Sequence, residues 1–318
     1  MKVEIARVFN PYPAGDTNVY IINNEVVFDS GINLPQSVEA LENSLRNSGL
    51  DFDSAKLVIS HPHADHFGSA YLFSNVLAHE NSCWKLSDAE ESYFRLVYAH
   101  FISEGMPLKL ARLMEERVKE TYKGLVLPCS KCGKIGNKIR AGDEVLQILH
   151  VPGHSYGHIA LYHEESQTLF SGDIMLDGIT PNPVIEPIND NERLQVIDLY
   201  IETLKKLYSL EIKRIFPGHK KIRRPHREII REYLESFEER SFEVFRHADG
   251  KNSFEIATSL FGRNRQVFLI MTETIAQVDF LRDKGILEKR NGKYFRSADE
   301  EDLKELWTEI KEMILKEA

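Results

Sequence analysis

A chain of 318 residues with a net charge of −9 is long for one ordinary domain and short for three, which points to one large unit plus a small appendage. With 42% hydrophobic and 28% charged residues it has the balance of a soluble globular protein, and no apolar run approaches the roughly 18 residues of a membrane span, which excludes a membrane partner. The negative total disfavours unspecific attraction to nucleic-acid phosphates, and three cysteines are too few for a disulfide framework.

Residues 1–8 alternate apolar and polar side chains as a half-buried strand does and lack the features of a signal peptide, so the expected compartment is the cytoplasm. Residues 18–22 and 26–28, separated by Asn23-Asn24, continue this strand into a meander. A surface helix follows over 35–48, then a compact apolar run at 56–60 that reads as a strand buried on both faces and ends directly at His61. The pattern next gives a helix near 67–75, a short strand at 76–78 and a helix pair over 88–125, broken at Gly105-Met106-Pro107. Strands return at 144–151, 159–162, 169–171 and 215–217, with a helix at about 191–208 before the last of them. Beyond 224 helices dominate: 226–247, one opened by Ser253 as its cap, and 271–284 ending at Gly285. The Asn291-Gly292 turn then predicts a hairpin over 286–296, and a closing helix spans 299–315. Helices followed by a hairpin resemble a winged helix, so the expected division is a catalytic domain at 1–224 and a winged-helix-like domain at 225–318.

The chemistry is concentrated at His61-Pro62-His63-Ala64-Asp65-His66. Three imidazoles and a carboxylate in six residues are costly to gather without a positive charge to coordinate, and a metal ion supplies one. His61 and His63 can converge on one ion from a loop, while Asp65 and His66 turn toward a neighbouring position. The same grammar recurs at Pro152-Gly153-His154, Ser171-Gly172-Asp173 and Pro217-Gly218-His219, each after an apolar strand and each with a glycine that lets the backbone turn.

His61-x-His63-x-Asp65-His66 followed in order by His154, Asp173 and His219 resembles the signature of the metallo-β-lactamase superfamily over residues 1 to about 225. The resemblance implies an α/β fold, a four-layer αββα sandwich with the site at one edge, here extended by the C-terminal helical domain. It implies that His61, His63 and His154 hold a first ion, that Asp65, His66 and His219 hold a second, and that Asp173 bridges them. Asp65 also orients the nucleophile, and His158 supports the ligands from behind. Two divalent ions are expected, zinc first, with iron or manganese as alternatives. The implied reaction is attack on an ester, thioester or lactone of a small molecule by a hydroxide bridging the two ions.

Two other functions are open: an endoribonuclease on single-stranded RNA, because that subfamily shares the ligands and a winged-helix tail, and a non-catalytic or DNA-binding regulator acting through that tail. Acidic side chains slightly outnumber basic ones over 223–318, which favours packing or a homodimer through the C-terminal domain over DNA binding. Asn18 and Asp29 read as turn residues, Cys129-x-x-Cys132 as reduced cysteines in a turn, the 88–125 helices as packing or a lid, and Lys220, Lys221, Arg223 and Arg224 as a linker or an anion contact.

Overall fold

The computed structural model describes residues 1–262 and 266–316; the parts of the expected C-terminal domain at 263–265 and 317–318 lie outside the described residues. The chain opens with β1 (Val3–Val8), β2 (Thr17–Ile22) and β3 (Val26–Phe28), an antiparallel meander, and continues through α1 (Pro35–Asn47) to β4 (Lys56–Val58). In place of the helix expected at 67–75 stand a one-turn helix α2 (Ala64–Phe67) and a 3-10 turn at Ala70–Leu72. Gly68 follows α2, and its backbone lies against Ala64 O, Leu125 O and Asn33 N too closely to admit a Cβ.

Next come β5 (Asn75–Ala78), α3 (Glu80–Ser87), α4 (Glu91–Ser103) and α5 (Leu108–Tyr122). Two strands the hydrophobic pattern missed, β6 (Cys132–Lys134) and β7 (Lys138–Ala141), lead into β8 (Glu144–His150), β9 (Ile159–His163) and β10 (Thr168–Gly172). Then follow α6 (Val196–Ser209), β11 (Arg214–Pro217), α7 (His226–His247), α8 (Ser253–Phe261), α9 (Val267–Asp283), the hairpin β12 (Leu287–Arg290) and β13 (Lys293–Arg296), and α10 (Glu300–Leu315). The cap of α8 is Asn252 rather than Ser253, reciprocated by Glu255 in a capping box.

Two sheets face each other, one in the order β1-β2-β3-β4-β5-β6 and one in the order β11-β10-β9-β8-β7. Alternation along each strand assigns the layers. Tyr20, Ile22, Val26, Phe28, Val58, Leu161 and Phe170 fill the space between the sheets. Ile21, Val27 and Leu57 point the other way, under Leu41 and Leu45 of α1 and Leu86 of α3. On the far side, Ala160, Tyr162 and Leu169 join an apolar core that runs without a break from Ile201 of α6 through Ile229 of α7 to Trp307 of α10, across position 224. The chain therefore has the four-layer αββα architecture with helical material continued at the C-terminus.

One cysteine expectation is corrected. Cys132 pairs with Cys83 in a disulfide, and Cys129 is the free, buried thiol. The local C-x-x-C spacing misdirects because β6 pairs alongside β5, which sets Cys132 against α3, 49 residues earlier in sequence.

A second buried polar group binds the C-terminal helices to the rest. Glu104, at the end of α4, accepts hydrogen bonds from Arg193 (2.7 Å), Lys289 (2.9 Å), Ser253 (2.6 Å) and Tyr294 (2.8 Å), and Arg193 also pairs with Asp279 of α9.

Candidate metal centre

Beyond β4 the chain bends through Ser60, His61 and Pro62, is extended at His63 (φ −102°, ψ 143°) and then turns into α2. The bend brings His61 and His63 into one space, and the single helical turn carries Asp65 and His66 into the next. Ligands from the other sheet arrive singly: His154 after β8, Asp173 at the end of β10 and His219 after β11. Glycines permit the approach. A Cβ on Gly218 would lie 2.2 Å from Asp173 Oδ1 and 2.8 Å from His66 Cε1, and one on Gly153 would strike the Tyr200 ring at 2.3 Å.

All seven residues come together. His63 Nδ1 lies 3.0 Å from His61 Nε2 and 3.1 Å from His154 Nε2. His219 Nε2 lies 3.3 Å from His66 Nε2, from Asp65 Oδ2 and from Asp173 Oδ2, while His66 Nε2 is 3.4 Å from Asp173 Oδ1. The potential donor atoms form three overlapping groups, His61/His63/His154, His61/His66/Asp173 and Asp65/His66/His219, each within 4.8 Å. Asp173 falls between the other two groups. His158 belongs to none of them: its Nε2 accepts the Asp173 backbone N–H (3.1 Å) and its ring stacks on His61 at 4.7 Å between centroids.

The outer ring nitrogens fix the tautomers. His154 Nδ1–H donates to Asn182 O (2.9 Å), His219 Nδ1–H to Gly15 O and Asp16 O (3.1 Å each), and His66 Nδ1–H to Asp29 Oδ2 (2.8 Å). Ser60 Oγ–H is committed to Asp29 Oδ2 (2.8 Å), so Ser60 accepts from His61 Nδ1–H (2.9 Å). In the neutral rings each Nε2 therefore presents a lone pair inward.

Electrostatics divides the cleft. Burial and the neighbouring imidazoles hold His61 and His63 well below the usual imidazole range. At His66 and His219 burial pulls the same way, but Asp173 overrides it, aided by Asp29 and Asp65 at His66 and by Asp65 at His219; His66 lies well above the ordinary value and His219 is raised to about 10. The field there calls for positive charge. Among the described residues no lysine or arginine pairs with Asp65 or Asp173, and Asp173 Oδ1 is buried without a hydrogen bond. Imidazoles and carboxylates turned toward one another with no lysine or arginine among them fit divalent metal ions.

Asn10 and Asn182 escaped the sequence reading, and Asp29 exceeds the turn role given to it. Asp29 has positive φ (68°), and its carboxylate orients both Ser60 and His66. Asn10, 4% exposed, donates to Asp65 Oδ2 at 2.6 Å and is itself held by Tyr12 N–H (2.9 Å). Asn18 donates to Pro217 O and Lys220 O, bracing the turn that carries His219. In the basic cluster, Arg224 is neutralised by Asp177 and Glu232.

The profile of the metallo-beta-lactamase superfamily matches residues 12–219. The chain is 26% identical over 299 residues to the probable metallo-hydrolase YqjP of Bacillus subtilis (strain 168), covering 86% of this chain and 90% of that one. It is 29% identical over 224 residues to the acyl-coenzyme A thioesterase MBLAC2 of Homo sapiens, covering 65% and 75%. In fold it is similar to the crystal structure of the metallo-beta-lactamase family protein TTHA1429 from Thermus thermophilus, with a TM-score of 0.77 over 92% of this chain and 98% of that one at 24% identity. This chain belongs to the metallo-beta-lactamase superfamily and is a hydrolase of it.

Proposed function

We infer that the protein is a dinuclear metal-dependent hydrolase of small-molecule acyl compounds, thioesters above oxygen esters and lactones. The observation that carries this reading is the cleft of converging imidazoles and carboxylates in which no described lysine or arginine pairs with Asp65 or Asp173. His61, His63 and His154 would hold one ion and Asp65, His66 and His219 the other, with Asp173 available to both; zinc suits this donor set, as do iron and manganese. When bound, the two ions supply ionised water at neutral pH and polarise the substrate carbonyl. The chain's part is orientation. Asn10 fixes Asp65 through Oδ2, leaving Oδ1 to orient the nucleophile by accepting its hydrogen bond. Asp29, Ser60 and Asn182 hold three imidazoles in the tautomer that faces the cleft.

Thioesters come first because the human relative is named an acyl-coenzyme A thioesterase. No described residue specifically favours RNA. The test is a panel of acyl thioesters, oxygen esters, lactones and single-stranded RNA, offered to protein loaded with zinc, iron or manganese. Thioesters should turn over fastest and RNA should remain intact; cleavage of RNA alone, falling steeply with salt, would replace this reading.

A further inference from the structure

Between Asp173 and α6 the chain runs as a strap, without helix or strand over 176–186. Side chains from four helices hold it. Tyr233 Oη of α7 accepts the Leu176 N–H (2.7 Å) and donates to Leu176 O (2.8 Å), Tyr93 of α4 donates to Ile185 O (2.9 Å), and Lys85 of α3 pairs with Glu186 (2.7 Å). The fourth hold is on Asn182, whose amide Nδ2 donates to Leu269 O and to Thr272 Oγ1 of α9, both at 3.0 Å.

Asn182 is also where the strap meets the metal cluster, since its backbone oxygen accepts His154 Nδ1–H at 2.9 Å. Pro181 and Pro183 flank it and have no N–H to donate, and Pro183 disfavours a helical turn at Asn182. The neighbouring backbone therefore offers little anchorage, and the side-chain amide sets where the carbonyl stands. Its sense is fixed as well: Leu269 O can only accept, and Thr272 Oγ1 spends its proton on Leu269 O (2.9 Å), which leaves the hydroxyl oxygen to accept from Asn182. Thr272 is fully buried, so deleting its hydroxyl strands the amide N–H. The other ligand group leans elsewhere. The outer nitrogens of His66 and His219 are met by Asp29 and by the Gly15 and Asp16 carbonyls, and Asp65 is met by Asn10, all within the first 29 residues of the chain.

We propose that Thr272 is a positioning residue for His154: acting through Asn182 it keeps the imidazole with Nε2 toward the cluster, so that helix α9 sets the affinity of the ion that His61, His63 and His154 would hold and leaves the other ion alone. The assignment rests on the two-ion reading and gives the C-terminal helices a part in it.

The experiment measures stepwise zinc affinities of the full chain by chelator competition, for the parent, Thr272→Val, Thr272→Ser, Asn182→Ala and Arg193→Met; the step lost in His154→Ala identifies the ion. T272V should weaken that ion about threefold to tenfold, less than the loss of a direct partner, and leave the other unchanged. T272S, which keeps the hydroxyl, should hold the parent's values. R193M, which unpairs Asp279 on the same helix, should lose stability and keep both affinities. If T272V does not fold, N182A removes the same bond from the strap's side and should give the same selective loss. Parent affinity for that ion in folded T272V, or in N182A where T272V does not fold, would overturn the proposal, as would equal weakening of both ions or the same loss in R193M. If the parent binds no zinc, the two-ion reading fails instead, and long-range proton–nitrogen NMR of the histidines decides the positioning role: the His154 Nδ1–H tautomer present in the parent and diminished in T272V supports it, and an unchanged tautomer refutes it.

Discussion

Two of the regions in which this molecule buries carboxylates balance them in opposite ways. At the junction of α4, α9 and the terminal hairpin, Glu104 and Asp279 are met by Arg193 and Lys289, so the charge is settled within the chain. In the cleft, the only ion-pair partners of Asp65 and Asp173 among the described residues are His66 and His219, whose outer nitrogens are already committed to Asp29 and to the Gly15 and Asp16 carbonyls. A chain able to supply guanidinium and ammonium partners for a structural site withholds them at the other. The unmet positive charge is the functional feature.

The sharpest way to break this contrast is to remove a charged group from each region. Asp173→Ala should lower turnover by at least about a thousandfold and release metal, since it lies between both ion positions; steady-state kinetics with metal analysis checks both. Arg193→Met, by contrast, should cost roughly 3–5 kcal/mol of stability by stranding Glu104 and Asp279, seen in urea melts, while turnover per folded molecule is retained. Acid gives the next effect. Arg193 and Lys289, acting against burial, lower the Glu104 carboxyl to about 2, so it supports the fold fully above its unfolded value near 4.3 and progressively less as pH falls toward 2. Roughly 3 kcal/mol should disappear across that window, and the loss should shrink in Arg193→Met. The smallest effect belongs to Asn10→Ala, which removes the 2.6 Å bond to Asp65 and should weaken the second ion about 10–100-fold with the first unaffected, measured by chelator competition. Equal weakening of both ions would deny Asn10 a specific role.

Much of this was legible in the sequence because the ligands are announced locally. The six-residue run from His61 to His66, and three Gly-containing strand ends, state both the chemistry and the turns it needs. Strands written as continuous apolar runs, such as β2 and β9, could be read too. Asn10 could not, because nothing around Phe9-Asn10-Pro11 marks a residue whose partner is 55 positions away. Asp29 was visible but read as a turn former, which its φ of 68° justifies, while its contacts to Ser60 and His66 depend on the parallel pairing of β3 with β4. β6 is three residues long and β7 only four, so even the alternation Lys138-Ile139-Arg140-Ala141 is too short to stand out, and the Cys83–Cys132 bond follows from the pairing of β6 rather than from cysteine spacing.

The most direct test of the central claim is the metal content of the purified chain by native mass spectrometry after reconstitution with zinc. The account predicts two ions per chain, and fewer in Asp173→Ala. A parent protein that stays metal-free, with its cleft imidazoles and carboxylates intact, would contradict it.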